Sequence, residues 1–432
     1  MEKWFDFKGR GTNASTEVIA GITTFITMVY IAIVNPAILS KTGMDFNGVF
    51  VATILATMIG TLIMGVFSNY PIAIAPGMGL NSFFAFAVVL ALGITWQKAL
   101  GAVFIASLIF LVLSFTKFRN VLINSIPESL KHSITAGIGL FIAFIGLQGS
   151  KIIVDSPATL VTFGHASDPV VLLTIFNLFV TVVLMMFNVR GNIFIGMVIT
   201  AIIALFNGMI TLPPSLFVWP TGLEHTAMQM DIKGVFDNNL YAIIFTFFLI
   251  TLFDTTGTMI GIAEQAGLIK DGKFPRIKSA LLADAVGSTV GAMLGTSPTS
   301  AYIESGAGVA VGGRTGFSSV VVALLFGLLL FCAPLAQMLA SIPAITAPAL
   351  IIVGFLMMSS LRNIDWNDFE ESFPAFLIVF LMPLSYSIAI GIGIGFIIYP
   401  LLKIIRGKAA EVHPLMYLFQ ILFFIQIGFL GH

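Results

Sequence analysis

Two carboxylates stand where this chain can least accommodate charge. Glu304 lies among small and polar residues in TSPTSAYIESGAG, residues 296 to 308, and Asp254 lies in FLITLFDTTGTMIG with no basic residue within fifteen positions on either side. Only 9% of the residues are charged. An unpaired acid inside a long apolar run is costly unless it faces a cavity or is protonated, so it marks a binding site or a proton carrier. The competing reading makes both residues caps, Asp254 for a helix interruption at Thr255, Thr256 and Gly257, and Glu304 for a helix beginning at Ser305. Asp284, in LLADAVGSTVG, reads as a polar contact between helices or as support for the other two acids, and is a third candidate for proton coupling. Glu264 lies ten residues beyond Asp254, roughly 15 Å along a helix, and belongs at a membrane boundary. Glu17, Glu128 and His132 also read as boundary residues.

The elements that hold these acids must cross a bilayer. The chain has 432 residues, 58% of them hydrophobic, with 20 basic and 20 acidic residues and repeated apolar runs long enough to span about 30 Å of hydrocarbon. Segments such as 239–263 and 316–332 lack the charged face that a soluble helix needs. The scattered basic residues form no nucleic-acid surface, and the single cysteine, Cys332, gives no disulfide framework. The apolar segment from Val18 to Leu39 is longer than the core of a cleaved leader, so it reads as a first span. About fourteen spans are expected, near 18–39, 48–67, 72–92, 99–116, 133–149, 169–188, 192–212, 239–263, 279–296, 299–312, 316–332, 344–361, 373–388 and 389–405.

Lysine and arginine fix the expected orientation. With the amino end inside, Lys3, Lys8, Arg10, Lys117, Arg119, Arg190, Lys270, Lys273, Arg276, Lys278, Arg314, Arg362, Lys403, Arg406 and Lys408 fall on the cytoplasmic side. Lys41, Lys98, Lys151 and Lys233 form the outer minority. An even span count with both termini cytoplasmic satisfies this bias. The final stretch, HPLMYLFQILFFIQIGFLGH, follows a basic segment and carries two glutamines, and is expected to lie in the interface.

The chain also repeats itself. Thr24-Phe25 recurs as Thr246-Phe247, an offset of 222, and Ile126-Pro127 recurs as Ile342-Pro343, an offset of 216. Seven spans per half is an odd number, so the second half enters the membrane with opposite polarity: an inverted repeat. The third span of each half breaks the helix rules. YPIAIAPGMGLN, residues 70–81, and GTSPTSAYIESGAG, residues 295–308, each place proline and glycines inside a crossing segment, and each reads as an extended piece followed by a half-helix. Irregular backbone at membrane depth is tolerated where it lines a cavity, and the free N–H groups of a half-helix start can hold a ligand. Glu304 therefore falls opposite Gly79 to Asn81, and the two breaks are expected to meet near the midplane.

GMGLNSFFAF, LFDTTGT, ADAVGSTVGAMLGTSPTSAYIESGAGV and IPESLKHSITAGIGL together resemble the nucleobase–cation symporter-2 family, in its AzgA-like branch of purine permeases, over essentially the whole chain. The resemblance implies an all-α polytopic membrane protein, a seven-plus-seven inverted repeat with short strands before the half-helices of spans 3 and 10. It implies a core domain of residues 1–120 and 235–333 (spans 1–4 and 8–11) and a gate domain of residues 121–234 and 334–432 (spans 5–7 and 12–14). Asp254 and Glu304 would hold the base, with Asn81, Gly79 and Ser305 contributing from the half-helix starts and Phe83 or Phe84 available for stacking. Asp254, Glu304 and Asp284 are the proton-coupling candidates. The expected activity is plasma-membrane import of purine bases by proton symport, with a second copy of the chain as a partner in a homodimer. No cofactor or metal is expected.

The chemistry of the acids points the same way. Carboxylates accept the N–H groups of a flat heterocycle, while half-helix N–H groups donate to its oxygen or nitrogens. An ionised acid pairs best with guanine's N1–H and exocyclic amine, or hypoxanthine's N1–H, and faces adenine's N1 unfavourably. Two alternatives share the architecture, an anion carrier and a purine facilitator or channel without proton coupling. An anion carrier should place a cation near the breaks, where the sequence offers Arg314 at one end. An enzyme would need a constellation such as His-Glu-x-x-His, which no span contains.

Overall fold

A computed structural model describes residues 2–116, 121–122, 125–237, 240–269, 275–425 and 427–428. Lys117, Arg119, Lys270 and Lys273, which enter the charge argument, lie outside the described residues, as does the side chain of Lys3.

Each expected span corresponds to an element. Spans 1, 2, 4, 5, 6 and 7 are Ala14–Thr42, Phe46–Ser68, Trp96–Ser114, Glu128–Gly149, Pro169–Met186 and Asn192–Phe206. Spans 8, 9, 11 and 12 are Tyr241–Gln265, Ile277–Leu294, Gly316–Ala340 and Pro343–Asn363. Phe369–Leu384 and Ile388–Ile405 are spans 13 and 14. The remaining two are broken. Span 3 is strand β1, Ile74–Pro76, followed by the apolar helix Met78–Ala91. A second sheet, outside the spans, pairs β2, Ile153–Ser156, with β3, Leu160–Phe163, and alternation in so short a loop gave no warning of it. Span 10 is β4, Thr299–Ala301, followed by the six-residue helix Ser305–Ala310.

Strands β1 and β4 pair antiparallel, Ile74 with Ala301, Ala75 with Ser300 and Pro76 with Thr299. Corresponding segments of the two halves thus run in opposite directions, as an inverted repeat requires. The pairing also solves the polar problem of an interrupted span, since backbone groups without water must find partners inside the protein. Tyr302 N–H reaches the Ala73 carbonyl and Gly77 N–H the Pro298 carbonyl, both at 3.0 Å. The Thr61 hydroxyl donates to the Ile74 carbonyl at 2.9 Å, and the Ser305 hydroxyl accepts the Ala73 N–H at 3.0 Å. Span 1 bends midway: its helix tightens at Val29 and Tyr30, whose carbonyls accept from residues only three ahead.

Packing falls into two groups. Span 5 lies against spans 12 and 13, span 13 against 14, and span 6 against 7 and 12. Span 9 lies against spans 2 and 4, span 11 against 1 and 2, and span 8 against 4. Each group has a crossing at which two glycines let backbones touch. A Cβ on Gly354 would lie 2.3 Å from the Gly139 carbonyl oxygen, and one on Gly316 would lie 1.9 Å from that of Gly65.

One boundary expectation gains a role and another is corrected. Glu17 is fully buried, and its carboxylate accepts the backbone N–H groups of Arg314 at 2.8 Å, Thr315 at 3.1 Å and Ser318 at 3.3 Å. It satisfies the open start of span 11, a partner nearly 300 residues away that local sequence cannot reveal. The helix Pro414–Ile425 does not lie flat in an interface. It runs back along span 14, with Phe419 and Phe423 against Phe396, Gln420 donating to the Ile397 carbonyl at 3.0 Å, and a Gly393 Cβ excluded by Phe423. Of the five phenylalanine and isoleucine side chains in its last seven residues, Phe419 and Phe423 are buried against neighbouring helices, while Ile421, Phe424 and Ile425 face outward. The same two rings contact Phe245 of span 8, with centroids 5.2 and 5.8 Å apart.

Candidate functional site

A cavity of about 490 Å³, within the range of small-molecule sites (about 300–1,000 Å³), opens where the two breaks meet. Asp254 and Glu304 both line it, with Gly79 and Met78 from the start of the span 3 helix and Tyr30 from the bend in span 1. Among the described residues its lining contains no lysine or arginine.

Each acid is held by a distinct local arrangement. Asp254 sits within the unbroken helix Tyr241–Gln265, so it caps nothing, and Ser300 of β4 hydrogen-bonds its carboxylate. Glu304 precedes the helix Ser305–Ala310 but makes no side-chain cap bond. Its Oε1 instead accepts the phenol of Tyr30 at 2.5 Å. Tyr30, fully buried, was passed over in sequence because a lone tyrosine in an apolar run looks like packing; the detectable signal was its position six residues before Pro36 in a span that must bend.

The donors and acceptors are divided unequally between the two breaks. The amides of Ser305, Gly306 and Ala307 are already bonded to the carbonyls of Tyr302, Ile303 and Glu304, at 3.0, 2.9 and 3.0 Å. The span 10 helix therefore offers carboxylate but no open N–H, contrary to the expectation that both half-helix starts would donate. The helix after Gly77 begins with the first-turn amides that a helix leaves open, at Met78 and Gly79. Acceptors come from spans 8 and 10, and donors from span 3.

Three residues expected at the ligand, Asn81, Phe83 and Ser305, stand behind the lining, as does the coupling candidate Asp284. Asn81 is fully buried; Ser297 donates to its Oδ1, and its Nδ2 has no partner among the described residues. It lies one helical turn beyond Gly77 and is not among the lining residues. Phe83 stacks edge-on against Phe247, centroids 4.8 Å apart, where it packs spans 3 and 8 together. The Ser305 hydroxyl is occupied by Ala73 N–H. Asp284 is fully buried and accepts the hydroxyls of Thr255 at 2.5 Å and Thr299 at 2.8 Å, so it ties spans 8 and 9 to β4.

One face of span 8 lines the way in. Asp254, Gly257, Thr258, Gly261 and Gln265 follow helical spacing, and a Cβ on Gly257 or Gly261 would meet nothing within 4 Å. The mouth reaches His132 at the start of span 5 and Asn363 at the end of span 12, beside Lys131 and Arg362. His132 thus belongs to the rim as well as to the boundary.

Residues 15–400 match a family described as the permease family, that of the xanthine and uracil permeases. The chain belongs to this family. The permease is 52% identical over 98% of its length, and 99% of the relative's, to guanine/hypoxanthine permease PbuO of Bacillus subtilis. It is 44% identical to adenine permease AdeP of Escherichia coli, over 100% and 96% of the two chains. The transmembrane domain of the cyanobacterial bicarbonate transporter BicA superposes with a TM-score of 0.66, covering 87% of the permease and 97% of that chain at 14% identity, a likeness of fold alone. The permease is a multi-pass membrane transport protein with that inverted-repeat architecture, not an enzyme.

Proposed function

We propose that the protein imports purine nucleobases, guanine and hypoxanthine before adenine, by proton symport across the plasma membrane. The observation that carries this reading is the division of the cavity: two carboxylates with no lysine or arginine among the described lining residues, facing the open amides of one helix start. A 6-oxopurine matches it, with N1–H, and in guanine the exocyclic amine, toward Glu304 or Asp254 and the C6 carbonyl oxygen toward Met78 and Gly79. The full-length similarity to guanine/hypoxanthine permeases and to adenine permeases supports the purine class. Two acids disfavour an anion, so the anion-carrier reading has only the shared fold behind it.

The two packing groups are read as the core and gate domains, residues 1–120 with 235–333 and residues 121–234 with 334–432, moving against one another. The basic face, onto which the cavity opens, is read as cytoplasmic, with both termini on that side. Proton coupling is assigned to Glu304 and Asp254, which face the cavity without a cation, and Asp284 is read as their support. Uptake of labelled hypoxanthine into cells lacking other purine uptake, with and without a protonophore, tests the coupling. Collapse of accumulation is expected; accumulation that persists would point to a facilitator.

A further inference from the structure

We propose that Tyr30 is the residue that sets base selectivity, by holding the Glu304 carboxylate as a hydrogen-bond acceptor. The inference rests on the purine-binding reading of the cavity and deepens it. The first span was not expected to contribute to the site, yet its bend delivers a fully buried phenol to Glu304 Oε1 at 2.5 Å, and the Thr27 hydroxyl, one turn earlier, donates to the Thr24 carbonyl at 2.7 Å and lies 3.4 Å from the Glu304 backbone carbonyl. A phenol has a single proton to give, and here it goes to the carboxylate. Two other hydroxyls near Glu304 are already committed: Tyr302 donates to the Pro76 carbonyl at 2.6 Å, and Ser300 bonds Asp254. Tyr302 therefore cannot replace Tyr30 without breaking its bond across the two halves.

The consequence is directional. With Tyr30 donating, Glu304 is fixed in position and presents acceptor character to the cavity, so the base edge opposite must donate. Guanine and hypoxanthine do so through N1–H; adenine offers a lone pair at N1. Without the phenol, Glu304 is free to turn or to carry a proton, and an N1 acceptor becomes tolerable. Tyr30 is thus a positioning residue that acts through Glu304.

Competition against labelled hypoxanthine uptake tests this in Tyr30→Phe, which keeps the ring and its packing. Guanine is expected to compete about tenfold less well, the loss of one hydrogen bond to a charged group, with adenine changed much less, so the guanine-to-adenine ratio falls about tenfold. A merely structural role would lower the maximal rate and leave that ratio alone; an unchanged ratio overturns the proposal. Ligand-dependent thermal stabilisation of the purified variant reads the same ratio where transport is lost. Should the variant not accumulate, the wild-type protein is tested with 1-methylguanine, which has no N1 proton: competition at least about tenfold weaker than guanine's is expected, and equal competition overturns the proposal. Glu304→Gln, measured alongside, separates the two layers. Wild-type guanine competition in Glu304→Gln overturns the site reading itself, whereas its loss together with an unchanged ratio in Tyr30→Phe overturns the Tyr30 assignment alone.

Discussion

At the scale of single residues, charge in the wrong solvent is the readable signal. Asp254 and Glu304 were legible because carboxylates without neighbouring cations stand out in an apolar chain, and both line the cavity. Glu304→Gln and Asp254→Asn are each expected to reduce uptake by about 10- to 100-fold at normal surface expression, the worth of a hydrogen bond to a charged group; near wild-type uptake by a well-expressed variant would remove the site. Tyr30 and the true role of Glu17 were not legible, since each is defined by a partner in the other half of the chain. Removing the Glu17 carboxylate strands two buried N–H groups and one partly buried one, at about 1–3 kcal/mol for each buried group. Glu17→Ala is therefore expected to lower the melting temperature in detergent far more than Glu264→Ala, whose parent side chain is exposed. Equal melting temperatures would show that the start of span 11 finds other partners.

Elements were legible where hydropathy and backbone chemistry agree. All fourteen spans fall close to the expected positions, and the proline and glycine interruptions in residues 70–81 and 295–308 mark both broken spans. Orientation along a neighbour was not legible: hydropathy cannot distinguish a helix that lies flat from one that follows span 14, so the placement of Pro414–Ile425 emerged only from Phe396 and Gly393. Glycines likewise look alike in sequence. Gly316 touches the Gly65 backbone, whereas Gly257 faces open cavity. Gly316→Ala is expected to cost about 1–3 kcal/mol through overpacking, read as a drop in thermal stability, while Gly257→Ala should fold as the parent does. Comparable destabilisation by both would contradict the packing described for spans 2 and 11.

For the whole molecule, the inverted repeat was legible because an odd number of spans per half forces opposite polarity, and the β1–β4 pairing is where the halves meet. The division of donors and acceptors was less so: two half-helix starts look equivalent in sequence, but that of span 10 has closed its own amides. The open track along Gly257 and Gly261 makes the molecule one-sided. In a variant whose sole native thiol, Cys332, is replaced, Gly261→Cys should react quickly with an impermeant maleimide in vesicles that expose the basic face, and slowly in the opposite vesicles. Equal rates would mean that the mouth is not confined to that face. Because the track has room beside a bound base, a purine bearing a long substituent on the edge away from the acids could seat its ring and leave its tail trailing through the mouth, a wedge that jams turnover. Such a compound would inhibit from one compartment and be inert when presented from the other, so its potency would depend on whether it can first cross the membrane by another route.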